Sequence, residues 1–237
     1  MDSLLIALAI ALIGGITIPL GALASKVTNI RPRWLEAELR HSITAFGGGV
    51  LLAAVSLVLV PEGIAFVSTG WVIYSFSLGG LVFFLADRLI AKSGGSTGQL
   101  MAMLLDYIPE ATALGAALAV GDSTGLLLAL LIALQNFPEG FNAFREIETR
   151  GHISSRKLLG IFFLLPIIGP LFAFIGHEFL AGHSSAIGAI MLFASGGIIY
   201  LTFEDIAPQV VLENHWAPPL GAVLGFLLGL IGHLLIN

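Results

Sequence analysis

Apolar stretches of about 18 residues or more recur along this chain, each enough to cross a hydrocarbon core about 30 Å thick as a helix. Two of them carry the same pattern inside. Asp106-Tyr107-Ile108-Pro109-Glu110 and Gln135-Asn136-Phe137-Pro138-Glu139 each set a polar residue, then proline three positions on and glutamate four positions on. Acidic side chains in hydrocarbon cost free energy and commonly mark function. Proline also interrupts the backbone hydrogen-bond ladder that a spanning helix needs. The double pattern reads as a cation site.

Composition fixes the class. Of 237 residues, 57% are hydrophobic and 11% charged, and the mean hydropathy is +0.99. A soluble domain of this size could not cover so much apolar surface with so few charges. The expectation is an all-α, polytopic membrane protein, with residues 1–237 forming one transmembrane domain and the lipid bilayer as its surroundings. Eight spans are expected, near 3–25, 41–61, 70–92, 99–121, 124–145, 157–177, 185–208 and 217–236. The first has no basic leader or clear cleavage site and reads as a retained helix. With no cysteine, disulfides and thiolate metal sites are excluded. No basic patch exists for nucleic acid.

Basic residues set the orientation. Lys26, Arg31, Arg33 and Arg40 fall between spans one and two, Arg88 and Lys92 between three and four. Arg145, Arg150, Arg156 and Lys157 fall between five and six. Every one is on connections of one parity, which the positive-inside rule makes cytoplasmic, with both termini outside. The expected location is the inner or plasma membrane.

Asp106, Glu110, Glu139, Glu204 and Asp205 all fall within predicted spans, and no Lys or Arg lies deep in a span to pair with them. An ionised carboxylate costs about 3 kcal/mol at a helix centre on insertion scales. Five such costs weigh heavily against a typical stability of about 5–15 kcal/mol. Protonation, hydration in a cavity, or a bound cation must relieve them. Residues i and i+4 stack on one helix face, so Asp106 stacks with Glu110 and Gln135 with Glu139. Pro109 frees the carbonyl of Leu105, and Pro138 that of Leu134. From the cytoplasmic ends, Asp106 and Glu139 lie about 10 Å deep, and Glu110 and Gln135 about 16 Å. An antiparallel pair of helices would thus form an oxygen-rich cage suited to a divalent cation. Helix-to-helix hydrogen bonding alone would explain Gln135 and Asn136, but neutral residues would serve it without the acids.

These residues carry a resemblance. Gln-Asn-Phe-Pro-Glu-Gly at 135–140 resembles the His-Asn-x-Pro-Glu-Gly signature of ZIP-type divalent metal transporters, in which it recurs in the fourth and fifth of eight spans. The resemblance extends to Val-Pro-Glu-Gly at 60–63 and to Glu204-Asp205-Ile-Ala-Pro208 in span seven. It implies divalent cation transport toward the cytoplasm: zinc, with manganese, iron or cadmium as further candidates. The implied metal residues are Asp106, Glu110, Gln135, Asn136 and Glu139, with Glu204 and Asp205 near the cytoplasmic end of span seven, on the exit route. Asp106 stands where the family usually has histidine, Tyr107 where it has asparagine, and Val58 where it has a histidine of span two. Gly169-Pro170 replaces a span-six glutamate, which argues against a second, adjoining metal position. The histidine-rich loop of the family is absent; only 93–98 connects spans three and four.

Odd separation makes any repeat between spans 1–3 and 6–8 an inverted one, a 3+2+3 arrangement in which the repeats could rock against helices four and five. Gly49 precedes Pro61 by 12 positions and Gly196 precedes Pro208 by 12. Other residues carry weaker signals. His177, Glu178 and His183 could capture metal outside. Glu62 and Asp87 read as solvated or paired, and His41, His152, His215 and His233 stand alone. An intramembrane metal hydrolase fails at Ala181, where His-Glu-x-x-His needs histidine, and no Gly-x-Ser-x-Gly elbow exists. No enzyme is expected. A metal-binding sensor or scaffold remains an alternative. The sequence is compatible with a homodimer and does not fix it.

Overall fold

The computed structural model describes residues 3–26, 33–92, 98–149, 153–210 and 217–236. Expectations for Arg31, Arg150, His152, His215 and the 93–97 link, and for the Arg33 side chain, lie outside the described residues. Among them are eight long helices and no strand: α1 Ser3–Lys26, α2 Trp34–Ala65, α3 Thr69–Lys92, α4 Gly98–Ala119, α5 Thr124–Thr149, α6 Ser155–Leu180, α7 Ser184–Val210 and α8 Pro218–Ile236. All but α4 are long and apolar enough to cross a membrane. α4 is diluted by Asp106 and Glu110 and is enclosed by other helices, with Asp106, Tyr107, Glu110 and Ala111 through Ala117 all buried. The chain is a multi-pass helical membrane protein. The expected connection at 26–40 is shorter than predicted, because α2 begins ahead of Arg40 and carries Trp34, Leu35 and Leu39 exposed on its first turns.

Glycines decide which helices touch. α1 lies against α5, α4 against α6, α2 against α8 and α3 against α7. A Cβ added at Gly21 would come within 2.0 Å of the Phe137 carbonyl oxygen, and one at Gly140 within 2.3 Å of that of Ile18. The same reciprocal contact joins Gly176 to the Thr112 carbonyl and Gly115 to that of Ala173. Gly49 meets the Ala222 carbonyl and Gly196 that of Phe76; Gly225 meets Phe46 and Gly79 meets Phe193. Backbones at such range exclude any side chain between them, as small residues allow in membrane bundles. The helices therefore gather as α1, α4, α5, α6 and as α2, α3, α7, α8.

α2 and α7 share a further detail. Each contains a π-helical segment, Val55–Leu59 and Thr202–Ile206, closed by Val60 N–H donating to the Val55 carbonyl and Ala207 N–H to that of Thr202. Pro61 and Pro208 follow at once; each lacks an N–H and crowds the carbonyl four residues back, so the preceding turn widens. Gly49, Val55 and Pro61 thus become Gly196, Thr202 and Pro208, each 147 positions on.

Candidate metal centre

α4 and α5 both continue through their prolines, Pro109 and Pro138. Asp106 is 2% exposed, Glu110 1%, and Gln135 and Asn136 are fully buried. Glu139 is partly exposed as a residue, yet both its carboxylate oxygens are buried. Gln135 Nε2 donates to Glu110 Oε2, tying α5 to α4. Asn136 Nδ2 donates to the Gly14 carbonyl of α1 at 3.2 Å. Asp106 of α4 and Glu139 of α5 both line the same small recess between the helices.

Six buried side-chain polar atoms among the described residues have no hydrogen-bond partner: Asp106 Oδ1, Glu110 Oε1, Gln135 Oε1, Asn136 Oδ1 and both carboxylate oxygens of Glu139. Each is an oxygen, and all belong to the two motifs. Buried acceptors without donors are costly, and native proteins carry few. The ion pairs Arg145–Glu36 at 3.1 Å and His177–Glu178 at 2.8 Å lie elsewhere. Among the described residues, no three His, Cys, Asp or Glu side chains form a group that could hold a metal ion on their own. Any cation bound here would need amide and carbonyl oxygens beside the acids.

Among the described residues, open space leads toward this cluster from one side. A cavity of about 410 Å³ opens where α2 and α4 begin and α3, α5 and α7 end; Arg40, Asp87, Arg145, Glu146, Glu204 and Gln209 are among its walls. A smaller recess continues inward and ends on Asp106 and Glu139. Gln99, Asn142 and Asp205 line both, so the two are continuous. Glu110, Gln135 and Asn136 line neither. Asp205 accepts from Gln99 Nε2 at 3.3 Å and Gln209 Nε2 at 2.7 Å, at the junction of the two spaces. Glu204 is exposed in the wide part alone and does not join the buried cluster.

Three polar wall residues, Thr44, Gln99 and Asn142, escape a reading by motif. Helical spacing signals two of them: Asn142 is one turn beyond Glu139, and Gln99 two turns before Asp106. Tyr107 has a further role. Its ring is buried, its hydroxyl donates to the Ala11 carbonyl at 3.5 Å, and a Cβ at Gly169 would lie 2.1 Å from that hydroxyl. The tyrosine therefore fills the space in front of position 169. Asp87 accepts from the Tyr200 hydroxyl at 3.1 Å. His177 joins Ser3 Oγ at 3.0 Å and Glu178, and α6 ends at Leu180, before Ala181 and His183. His41 Nδ1 meets the Gln209 carbonyl, and Glu62 lies beside Asp122 and Thr124.

No protein-family profile matches the chain. An alignment 209 positions long, covering 82% of the chain, shows 26% identity to an Arabidopsis thaliana protein provisionally named a zinc transporter. The chain spans about a third of the length of that relative, 33%.

Proposed function

We propose that this protein carries divalent cations across its membrane toward the cytoplasm, with zinc as the leading substrate and manganese, iron or cadmium as further candidates. The observation that carries the reading is the set of six buried oxygens without a hydrogen-bond donor on Asp106, Glu110, Gln135, Asn136 and Glu139, two of which residues, Asp106 and Glu139, close the inner end of the recess. A cation supplies what those oxygens lack. Carboxylate and amide oxygens suit hard and borderline divalent ions. The similarity to a protein provisionally named a zinc transporter supports the same class of substrate, as does the resemblance of the two motifs to those of ZIP-type carriers.

On this reading Asp106 and Glu139 meet the ion at the cavity end, and Glu110 and Gln135 hold its far side. Asp205 stands on the path to the exit, with Glu204 in the wide mouth. One metal position fits better than two, because Tyr107 occupies the space before Gly169. Arg40 and Arg145 at the cavity mouth support a cytoplasmic mouth by the positive-inside rule and, with it, both termini outside. The shared spacing of α2 and α7 and the reciprocal glycine contacts support an inverted repeat relating α1–α3 to α6–α8, with α4 and α5 exchanged.

Uptake into liposomes containing the purified protein tests the proposal, screened over zinc, cadmium, manganese, iron, cobalt and magnesium. Saturable, metal-dependent uptake is expected, with counterflow. Glu110→Ala and Glu139→Ala should each abolish the saturable part, since a lost carboxylate leaves the ion's charge undercompensated away from solvent. Tight metal binding without counterflow would instead identify a sensor or scaffold.

A further inference from the structure

The mouth of the cavity holds a positive charge that a cation path does not need. Among the described residues, its wall carries four carboxylates, Asp87, Glu146, Glu204 and Asp205, and two guanidinium groups, Arg40 and Arg145. An arginine in such company would ordinarily pair with an acid. Arg145 does so, with Glu36 at 3.1 Å. Arg40 does not: among the described residues no carboxylate makes an ion pair with it. Its Nη2 donates instead to His41 Nε2 at 3.3 Å. A guanidinium has only donors, so Nε2 is the acceptor and the ring proton is on Nδ1, which donates to the Gln209 carbonyl. A neutral imidazole thus orients Arg40 without cancelling its charge.

Arginine presents its N–H groups in a planar fork that matches carboxylate and phosphate. Here the fork lines a space of about 410 Å³, enough for a small metabolite. The same space holds Glu204 and Asp205. We propose that Arg40 anchors an oxyanion site in the cavity mouth, and that its ligand is a small polycarboxylate that also chelates the outgoing divalent ion. The inference rests on the carrier reading above and names what receives the ion. The wall sets the order of events. Four acids against two arginines leave the empty mouth with an excess of two negative charges, which repels an anion. A divalent ion at Asp205 cancels that excess. The anion then binds with one carboxylate on Arg40 and another on the ion, and replaces the oxygens that the ion gives up on leaving. A polycarboxylate can bridge in this way because its charges stand on separate groups, whereas phosphate gathers them on one centre.

Citrate is the probe. Binding of radiolabelled citrate is measured on the whole chain in phosphatidylcholine nanodiscs, without zinc and at a fixed free zinc concentration. Zinc should raise citrate binding by about tenfold or more, since it reverses the sign of the charge that the anion meets. Arg40→Gln should lower the zinc-dependent binding by about tenfold or more, the effect of losing hydrogen bonds between charged groups. Arg40→Lys keeps the charge and loses the fork, so its binding should fall between the two; it also reports if Arg40→Gln does not fold. Parent-level binding in either folded variant would overturn the site. Displacement of citrate by an equal concentration of phosphate, or by anionic lipid in the nanodisc, would overturn the polycarboxylate assignment. Zinc uptake by protein that binds no citrate would overturn the site and leave the carrier reading standing. Zinc-dependent, Arg40-dependent citrate binding without uptake would keep the site and overturn the carrier reading.

Discussion

Asp106 sits at the end of the recess with one carboxylate oxygen lacking a donor, and two predictions turn on such atoms. Zinc binds imidazole well, whereas manganese favours carboxylate and carbonyl oxygen. Asp106→His should raise the zinc-to-manganese uptake ratio by about severalfold in competition uptake, through ligand type. An unchanged or lower ratio would remove Asp106 from the ion's ligands. Glu139 has both oxygens buried without a hydrogen-bond donor, so in ion-free protein their lost hydration opposes folding. Glu139→Gln should raise the Tm measured in chelator by a few degrees, on the order of 1 kcal/mol, while uptake collapses. A lower Tm would mean that the carboxylate is structural. Asp106, Glu110, Gln135 and Glu139 could be placed together from the sequence because acids in apolar runs demand compensation and the i, i+4 rule gave their faces; Asn136 entered only through the resemblance. Thr44 and Tyr107 were not: a threonine in a helix is ordinary, and Tyr107 matters through two glycines on other helices, Gly15 and Gly169.

At the scale of elements, helix pairing depends on glycines that admit a neighbouring backbone. A methyl group at Gly49 would sit 2.0 Å from the Ala222 carbonyl oxygen, and one at Gly196 2.0 Å from that of Phe76. Gly49→Ala and Gly196→Ala should therefore destabilise by similar amounts, about 1–3 kcal/mol each as for other overpacked contacts. Thermal unfolding in detergent measures both. Gly70→Ala, with open space around its Cβ, should leave Tm within about a degree of the parent. A large difference between the first two would count against equivalent roles in the repeat. The sequence echo that points to these glycines is only a glycine and a proline 12 apart. It becomes informative once π-helical turns stand just ahead of the two prolines, at the same offset in both helices.

At the scale of the whole molecule, alternation of basic and non-basic connections predicts which ends share a face. Ser154→Cys should label only from the cytoplasm, and Ser123→Cys and His183→Cys only from outside, with an impermeant thiol reagent on intact cells. Labelling of positions 123 and 154 from one side would remove a span and separate the two motifs. Seven of the eight expected spans are helices apolar enough to cross a membrane, and α4, diluted by Asp106 and Glu110, is a helix of the expected length that falls short in hydropathy. The side on which the cavity opens was not readable, since it depends on how two groups of four helices lean on each other.

The acids of the cage also have an electrical consequence. Asp106, Glu110 and Glu139 together carry up to three negative charges, and a divalent ion cancels only two. On the proposed carrier reading, the loaded and empty cages differ by two units of charge unless protons make up the difference. A membrane voltage does about 2.3 kcal/mol of work per unit charge moved through 100 mV. The voltage therefore bears most on the empty return step if no protons board, and on neither step alone if two do. Uptake measured under an imposed potassium-diffusion voltage, at two pH values, counts those protons.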